Sequence, residues 1–220
     1  MIKKKLTFTV FVFVFLSIST TIALAQSFQS NCSVVKVGNP LGDVVLPSSC
    51  TVSSQAPSAN VNGKVPLYKQ WDERWGSNSY GCGGTTIGSA GCGVASLAML
   101  ISYWLNKEVF PSETARIALD NGWRICNKGT SWDAMTGMPR MYGLNAKEID
   151  WEEAKKYLLM GIPIIQSHSA GFFTNHGHFI VLTGYSTGVY FVNDPDGKHR
   201  TEATEQQITN SLNTSWVVLK

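Results

Sequence analysis

Among the side chains here able to attack a carbonyl carbon, Cys92 occupies the most informative position. It stands in Ser89-Ala90-Gly91-Cys92-Gly93, directly before a stretch from Val94 to Leu105 that is apolar on nearly every face. Such a stretch predicts a buried central helix. A sulfur at a helix N-terminus meets backbone N–H groups without intrahelical partners and the positive end of the helix dipole. Both favour the thiolate, which is the nucleophile, and such settings lower a cysteine pKa to about 3.5–7.5. Gly91 and Gly93 permit a tight turn and close approach of a substrate backbone. The N–H of Cys92 is then available as an oxyanion donor. The plainer alternative is a structural cysteine that merely opens a helix.

A thiolate nucleophile needs a base, and the sequence offers His168, His176, His178 and His199. His178 opens the apolar run Phe179-Ile180-Val181-Leu182, so a rigid strand would hold it. Asp194 follows the next such run, in Val192-Asn193-Asp194-Pro195. If the two runs pair as a hairpin, their far ends meet. A carboxylate there can accept from one ring nitrogen while the other faces the thiol. Taken singly, His178 reads equally well as a satisfied surface histidine, and Asp194 as a turn residue before Pro195. His176 competes with His178, because on a continuing strand it would share its face. A zinc site from His176, His178 and two cysteines is the other use of this cluster. The lack of a C-x-x-C motif argues against it, so no metal and no cofactor is expected. His168 and His199 have no nearby pattern.

The elements that must position these groups follow from periodicity and caps. After the helix led by Cys92, Ser112 begins a second that stops at Asn121-Gly122. A third is expected over residues 131–142, with Pro139 inside it. A fourth is capped by Asp150, with Glu153 placed for a capping box and Gly161 past its end. The pattern then changes to short runs rich in β-branched and aromatic residues: 162–166, 179–185 and 189–192. Ser186-Thr187-Gly188 separates the last two, which predicts a hairpin. A short helix over 204–212 and a strand over 216–219 complete the chain. Helices first and an antiparallel sheet second is an α+β arrangement.

The N-terminus reads as an export signal over residues 1–25. Lys3, Lys4 and Lys5 precede an apolar run from Leu6 to Leu16, and Ala23-Leu24-Ala25 is a small-x-small cleavage site ahead of Gln26. An uncleaved anchor is the alternative, but the run is shorter than the ~20 apolar residues of a spanning helix. A secreted protein without stable membrane insertion is therefore expected. Residues 26–63 form a separate small segment and linker, poor in aromatics and charge, ahead of a main domain over 64–220. Export into an oxidising compartment bears on the five cysteines. Cys32 and Cys50 make a natural local bridge, and Cys82 and Cys126 remain as a pair if Cys92 is free. Pairing is not deducible from the sequence, and an unpaired buried cysteine also fits the odd count. The net charge of +3 includes the lysine run and forms no basic stripe, so no nucleic acid partner is expected.

Three blocks together resemble the peptidase C39-like family. They are Val65-Pro66-Leu67-Tyr68-Lys69-Gln70-Trp71-Asp72-Glu73-Arg74-Trp75 with Tyr80-Gly81 and Thr86 to Gly93; Gly177 to Tyr185; and Val192-Asn193-Asp194-Pro195. They occur in the family's order from about residue 65 onward. The resemblance implies a papain-like fold, in which a central helix led by the nucleophilic cysteine packs on an antiparallel sheet carrying His and Asp. It implies Cys92, His178 and Asp194 in those roles and Gln70 as the oxyanion-hole side chain. Val94 stands where many members carry Pro; Pro suits a first helical turn but is not chemically required. A secreted, monomeric cysteine peptidase acting on peptides or proteins through an acyl-enzyme is the expectation. A peptidoglycan amidase or endopeptidase acting on cell-wall peptide keeps the same site. A non-catalytic papain-like binding module is the reading from another class.

Overall fold

The computed structural model describes residues 64–197 and 200–220 with their side chains, and the backbone of two strands near the N-terminus. The expected signal, the linker over 53–60 and His199 lie outside the described residues. The chain divides into two units, residues 1–55 and 56–220. In the first, β1 (Asn31–Val37) pairs antiparallel with β2 (Val44–Thr51), and the register sets Cys32 opposite Cys50. The bridge expected between these two lies outside the described residues.

In the second unit, the described residues from Lys64 onward reach a one-turn helix, α1 (Ile87–Ala90), without an earlier helix or named strand. The central helix α2 (Cys92–Leu105) follows after Gly91. Every residue from Gly93 to Trp104 is buried, so the all-round apolar pattern does mark a core helix. Asn106 ends it in the left-handed conformation (φ 51°). Helix α3 (Pro111–Asp120) starts with proline at its first position, where a missing N–H costs nothing. A two-residue ladder, β3 (Arg124–Ile125) and β4 (Gly129–Thr130), precedes α4 (Asp133–Met141), which carries Pro139. Next come β5 (Asn145–Ile149), α5 (Trp151–Leu159), β6 (Ile164–His168), β7 (His178–Ser186), β8 (Val189–Asn193), β9 (Glu202–Thr204), α6 (Glu205–Thr209) and β10 (Leu212–Leu219).

Six strands form one antiparallel sheet in the order β5-β10-β6-β7-β8-β9. Helices α2 and α5 both pack on β7, and His178 through Leu182 are all buried. Continuous burial along a strand requires cover on both faces. Thr187 (φ 48°) and Gly188 (φ 86°) both take positive φ at the β7–β8 turn, the conformation that matches strand twist in tight hairpins. The fold is α+β, as the order of elements predicts.

Three local expectations need correction. Asp150 caps α5 by accepting from the Glu153 N–H at 2.8 Å, but Glu153 does not complete a capping box. Its carboxylate pairs with Lys147 on β5 instead. The strand expected over 162–166 lies at Ile164–His168, two residues later. The region 204–212 is helical only over Glu205–Thr209, because Leu212 already belongs to β10, flanked by β6 at His168.

Candidate active site

Cys92 is the first residue of α2 and lies half-buried at the edge of a cleft of about 1110 Å³. Its neighbour Gly93 is buried, and a Cβ there would stand 2.7 Å from Thr130 Cβ and 3.2 Å from the Phe179 ring. Glycine therefore lets the helix start press against β4 and β7. The close approach seen at Gly93 is that of the protein's own Thr130 and Phe179.

His178 begins β7 and is 6% exposed. Its Nε2 donates to Asp194 Oδ1 at 2.7 Å. That leaves Nδ1 for the Cys92 thiol, which lies within hydrogen-bonding reach of the ring. Asp194 is 1% exposed and follows β8 directly. The hairpin register pairs Asn193 with Val181, so the two ends meet as the strand pattern requires. Asp194 Oδ1 also accepts from the Asp196 N–H at 2.9 Å, and Oδ2 accepts from Arg200 Nε at 3.0 Å. The buried carboxylate is thus well furnished with donors, which is the condition for keeping a charge out of water.

The electrostatics reinforce one another. Burial works to raise the Cys92 pKa, but the hydrogen bond and charge of His178, with the Phe179 and Gly93 N–H groups, bring it below the ordinary value. Burial works to lower that of His178, yet Asp194 and Cys92 push it up to about 10. Burial likewise opposes ionisation of Asp194, and His178 and Arg200 hold its carboxyl below the usual range. Each shift favours the charged form of its group: thiolate, imidazolium and carboxylate.

Gln70 is 7% exposed and lines the same cleft. Its Nε2 donates to the Gly88 carbonyl at 2.8 Å, which uses one of the two amide hydrogens. His176 does not share a face with His178. The strand begins only at His178, and His176 is exposed in the preceding loop at the cleft rim. Cys82 is bonded to Cys126 and is not available as a metal ligand. Among the described residues no three His, Cys, Asp or Glu side chains gather to hold a metal, and Cys92 is the free cysteine.

Sequence reasoning missed Arg200 and the surroundings of His168. Arg200 lies six residues beyond Asp194, and a basic residue just past a hairpin end is the signal that would have flagged it. His168 is fully buried, with Nδ1 3.0 Å from Ser211 Oγ and Nε2 3.2 Å from Gln166 Oε1. Nothing in the sequence links it to Ser211, which is 43 residues away.

A buried helix led by a cysteine, packed on an antiparallel sheet that carries a hydrogen-bonded His and Asp, is the papain-like arrangement of cysteine peptidase domains. The chain belongs to the Peptidase_C39 like family, whose profile matches residues 63–220. Among solved structures it is similar to the peptidase domain of Streptococcus ComA, a bifunctional ABC transporter involved in a quorum-sensing pathway. That match has 15% identity and a TM-score of 0.52, covering 71% of this chain and 98% of that one. A double glycine motif protease from an AMS/PCAT transporter, in complex with its leader peptide, matches with 24% identity and a TM-score of 0.47, covering 71% and 91%. A C39-like peptidase from Bacillus anthracis matches with 16% identity and a TM-score of 0.49, covering 71% and 95%. A search of curated proteins returned no match.

Proposed function

We propose that this chain is an exported cysteine peptidase that cleaves peptide bonds with Cys92 as nucleophile, His178 as acid and base, and Asp194 as the group orienting His178. The observation that carries the reading is the 2.7 Å His178–Asp194 contact, which leaves the second ring nitrogen for a thiol at a helix start. Membership of the C39-like family supports the reaction class. The export half rests on Lys3-Lys4-Lys5, the run from Leu6 to Leu16 and Ala23-Leu24-Ala25.

The Cys92 thiolate attacks the substrate carbonyl carbon, forming a C–S bond and moving the π electrons onto oxygen. The Cys92 N–H and the second Gln70 amide hydrogen receive that oxyanion. His178 gives its proton to the departing amine as the C–N bond breaks, leaving a thioester. Neutral His178 then takes a proton from water, whose oxygen displaces the sulfur. The products are a free acid and a restored thiolate beside an imidazolium. Incubating wild type and Cys92→Ala with a diverse peptide library tests this. Cleavage by wild type alone is expected; no cleavage by either protein, or equal cleavage by both, refutes it.

A further inference from the structure

Trp71 leaves more than half of its surface in solvent, and a polar contact fixes its ring. Its indole Nε1 donates to the Asp196 carbonyl at 2.7 Å. The residue before it, Gln70, donates its backbone N–H to the Pro195 carbonyl at 2.8 Å. The residue before that, Lys69, donates Nζ to the Asp194 carbonyl at 3.3 Å. Three consecutive residues therefore clasp three consecutive carbonyls. The contact continues upstream, where Asn193 Nδ2 donates to the carbonyls of Val65 and Pro66 at 3.2 and 3.1 Å.

The fit of this clasp is close. A Cβ on Gly197 would lie 2.7 Å from Lys69 Cδ and 2.8 Å from Nζ, so glycine at 197 leaves the end of the lysine room to lie against the turn after Asp194. Gly197 also takes φ +69°, which suits glycine. On its far side the clasp is tied to the core: buried Trp75 donates Nε1 to the Lys69 carbonyl at 2.8 Å. The two halves of the site thus meet here. Asp194 orients the base, and Gln70 belongs to the clasping segment itself.

We infer that Trp71 and Lys69 are positioning residues, whose clasp on the Asp194–Asp196 carbonyls holds the carboxylate against His178 and keeps the Gln70 amide in register with it. This rests on the reading of Cys92, His178 and Asp194 as one catalytic set. Neither Trp71 nor Lys69 touches the reacting atoms; both act through Asp194 and Gln70.

The test uses the full chain and measures the rate of iodoacetamide alkylation at Cys92 against pH, which needs no peptide substrate. Trp71→Phe keeps the ring and removes the donor; Lys69→Met keeps the stem and removes the ammonium. Melting curves confirm that each variant folds. Each variant should slow alkylation at pH 6 about tenfold, equivalent to moving the thiol by one pKa unit toward its ordinary value. In the Asp194→Asn background, Trp71→Phe should add nothing. Peptide turnover should show a lower kcat at unchanged KM. An alkylation profile in both variants that matches wild type overturns the inference while leaving the catalytic set intact. A wild-type profile like that of a free thiol, unmoved by His178→Ala, overturns the catalytic set and the clasp with it.

Discussion

His168 and His178 face each other across β6 and β7 as a register pair, yet their proton affinities move in opposite directions. Burial, with the charge of His178, lowers the His168 pKa to about 3, and its hydrogen-bond partners among the described residues are the Ser211 hydroxyl and the Gln166 amide. His178 is nearly as buried and is raised to about 10, because Asp194 and Cys92 surround it. The partners, not the depth, decide the charge. His168 Nε2 meets a carbonyl oxygen of Gln166 while Gln166 Nε2 donates to Ser215 Oγ at 3.1 Å, which fits a neutral ring protonated at Nε2.

The activity window follows from these directions. A thiolate requires pH above the lowered Cys92 pKa, and an imidazolium requires pH below that of His178, near 10. Asp194 is ionised throughout, since its own pKa is lowered. Turnover should therefore fall on the acid side as Cys92 takes up a proton and on the alkaline side as His178 loses one. A pH–rate profile of kcat/KM checks this. Alkylation at pH 6 gives a sharper reading: a free thiol with a pKa of about 8.5 is only about 0.3% ionised there. Wild type should label readily at pH 6 and His178→Ala should not.

Asp194→Asn removes the charge that holds His178 but preserves the shape. Turnover should drop by a factor on the order of 10²–10⁴. Stability should fall by about 1–3 kcal/mol, because an amide replaces an acceptor-only group facing the donors His178, Arg200 and the Asp196 N–H. Peptide hydrolysis and thermal melting read the two effects separately.

Gln70→Ala should lower kcat by about 10- to 10³-fold with KM nearly constant, the signature of a donor that acts on the transition state. Steady-state kinetics on a single peptide is sufficient. A KM change at constant kcat would make Gln70 a substrate-binding residue instead.

The Cys82–Cys126 bridge closes a separation of 44 residues and flanks the β3–β4 ladder, whose Arg124, Gly129 and Thr130 line the cleft. In the chain-entropy treatment a loop of that size is worth about 4 kcal/mol. Replacing both cysteines with serine should lower the melting temperature markedly. Reductant should lower the melting transition of the 56–220 unit in wild type and leave that transition unmoved in the double variant, while Cys92 still alkylates.

Gly93→Ala places a methyl 2.7 Å from Thr130 Cβ, and overpacking of this kind costs about 1–3 kcal/mol. Either Thr130 or the helix start must shift, and a shift of the helix start takes the sulfur with it. Chemical denaturation measures the loss, and alkylation of Cys92 reports the displacement.

How much of this was legible in the sequence depended on range. The central helix was readable because Val94 to Leu105 is apolar all round, and the β7–β8 hairpin because Thr187-Gly188 separates two β-branched runs. Those two elements alone place Cys92, His178 and Asp194. β5 escaped notice because only Ala146 and Ile149 of Asn145–Ile149 are buried, a spacing without strand alternation, and its strand character comes from pairing with β10. Arg200, the His168–Ser211 contact and the Lys69–Trp71 clasp were likewise hidden, since each joins residues through space without a local pattern. The packing of Gly93 against Thr130 and Phe179 was hidden for the same reason.

The sheet order has a consequence for when this domain acquires its reactivity. β10 follows every other strand in the chain but lies between β5 and β6, so β5 cannot join the sheet until residues 212–219 have been synthesised. Trp216 on β10 backs Phe179, which in turn abuts the start of α2, and Ser211 just before β10 holds His168. A nascent polypeptide from which those residues have not yet emerged carries Cys92, His178 and Asp194 and lacks the strand behind them. Such late, long-range closure slows folding. It also leaves the backing of the candidate site incomplete until the last strand is in place.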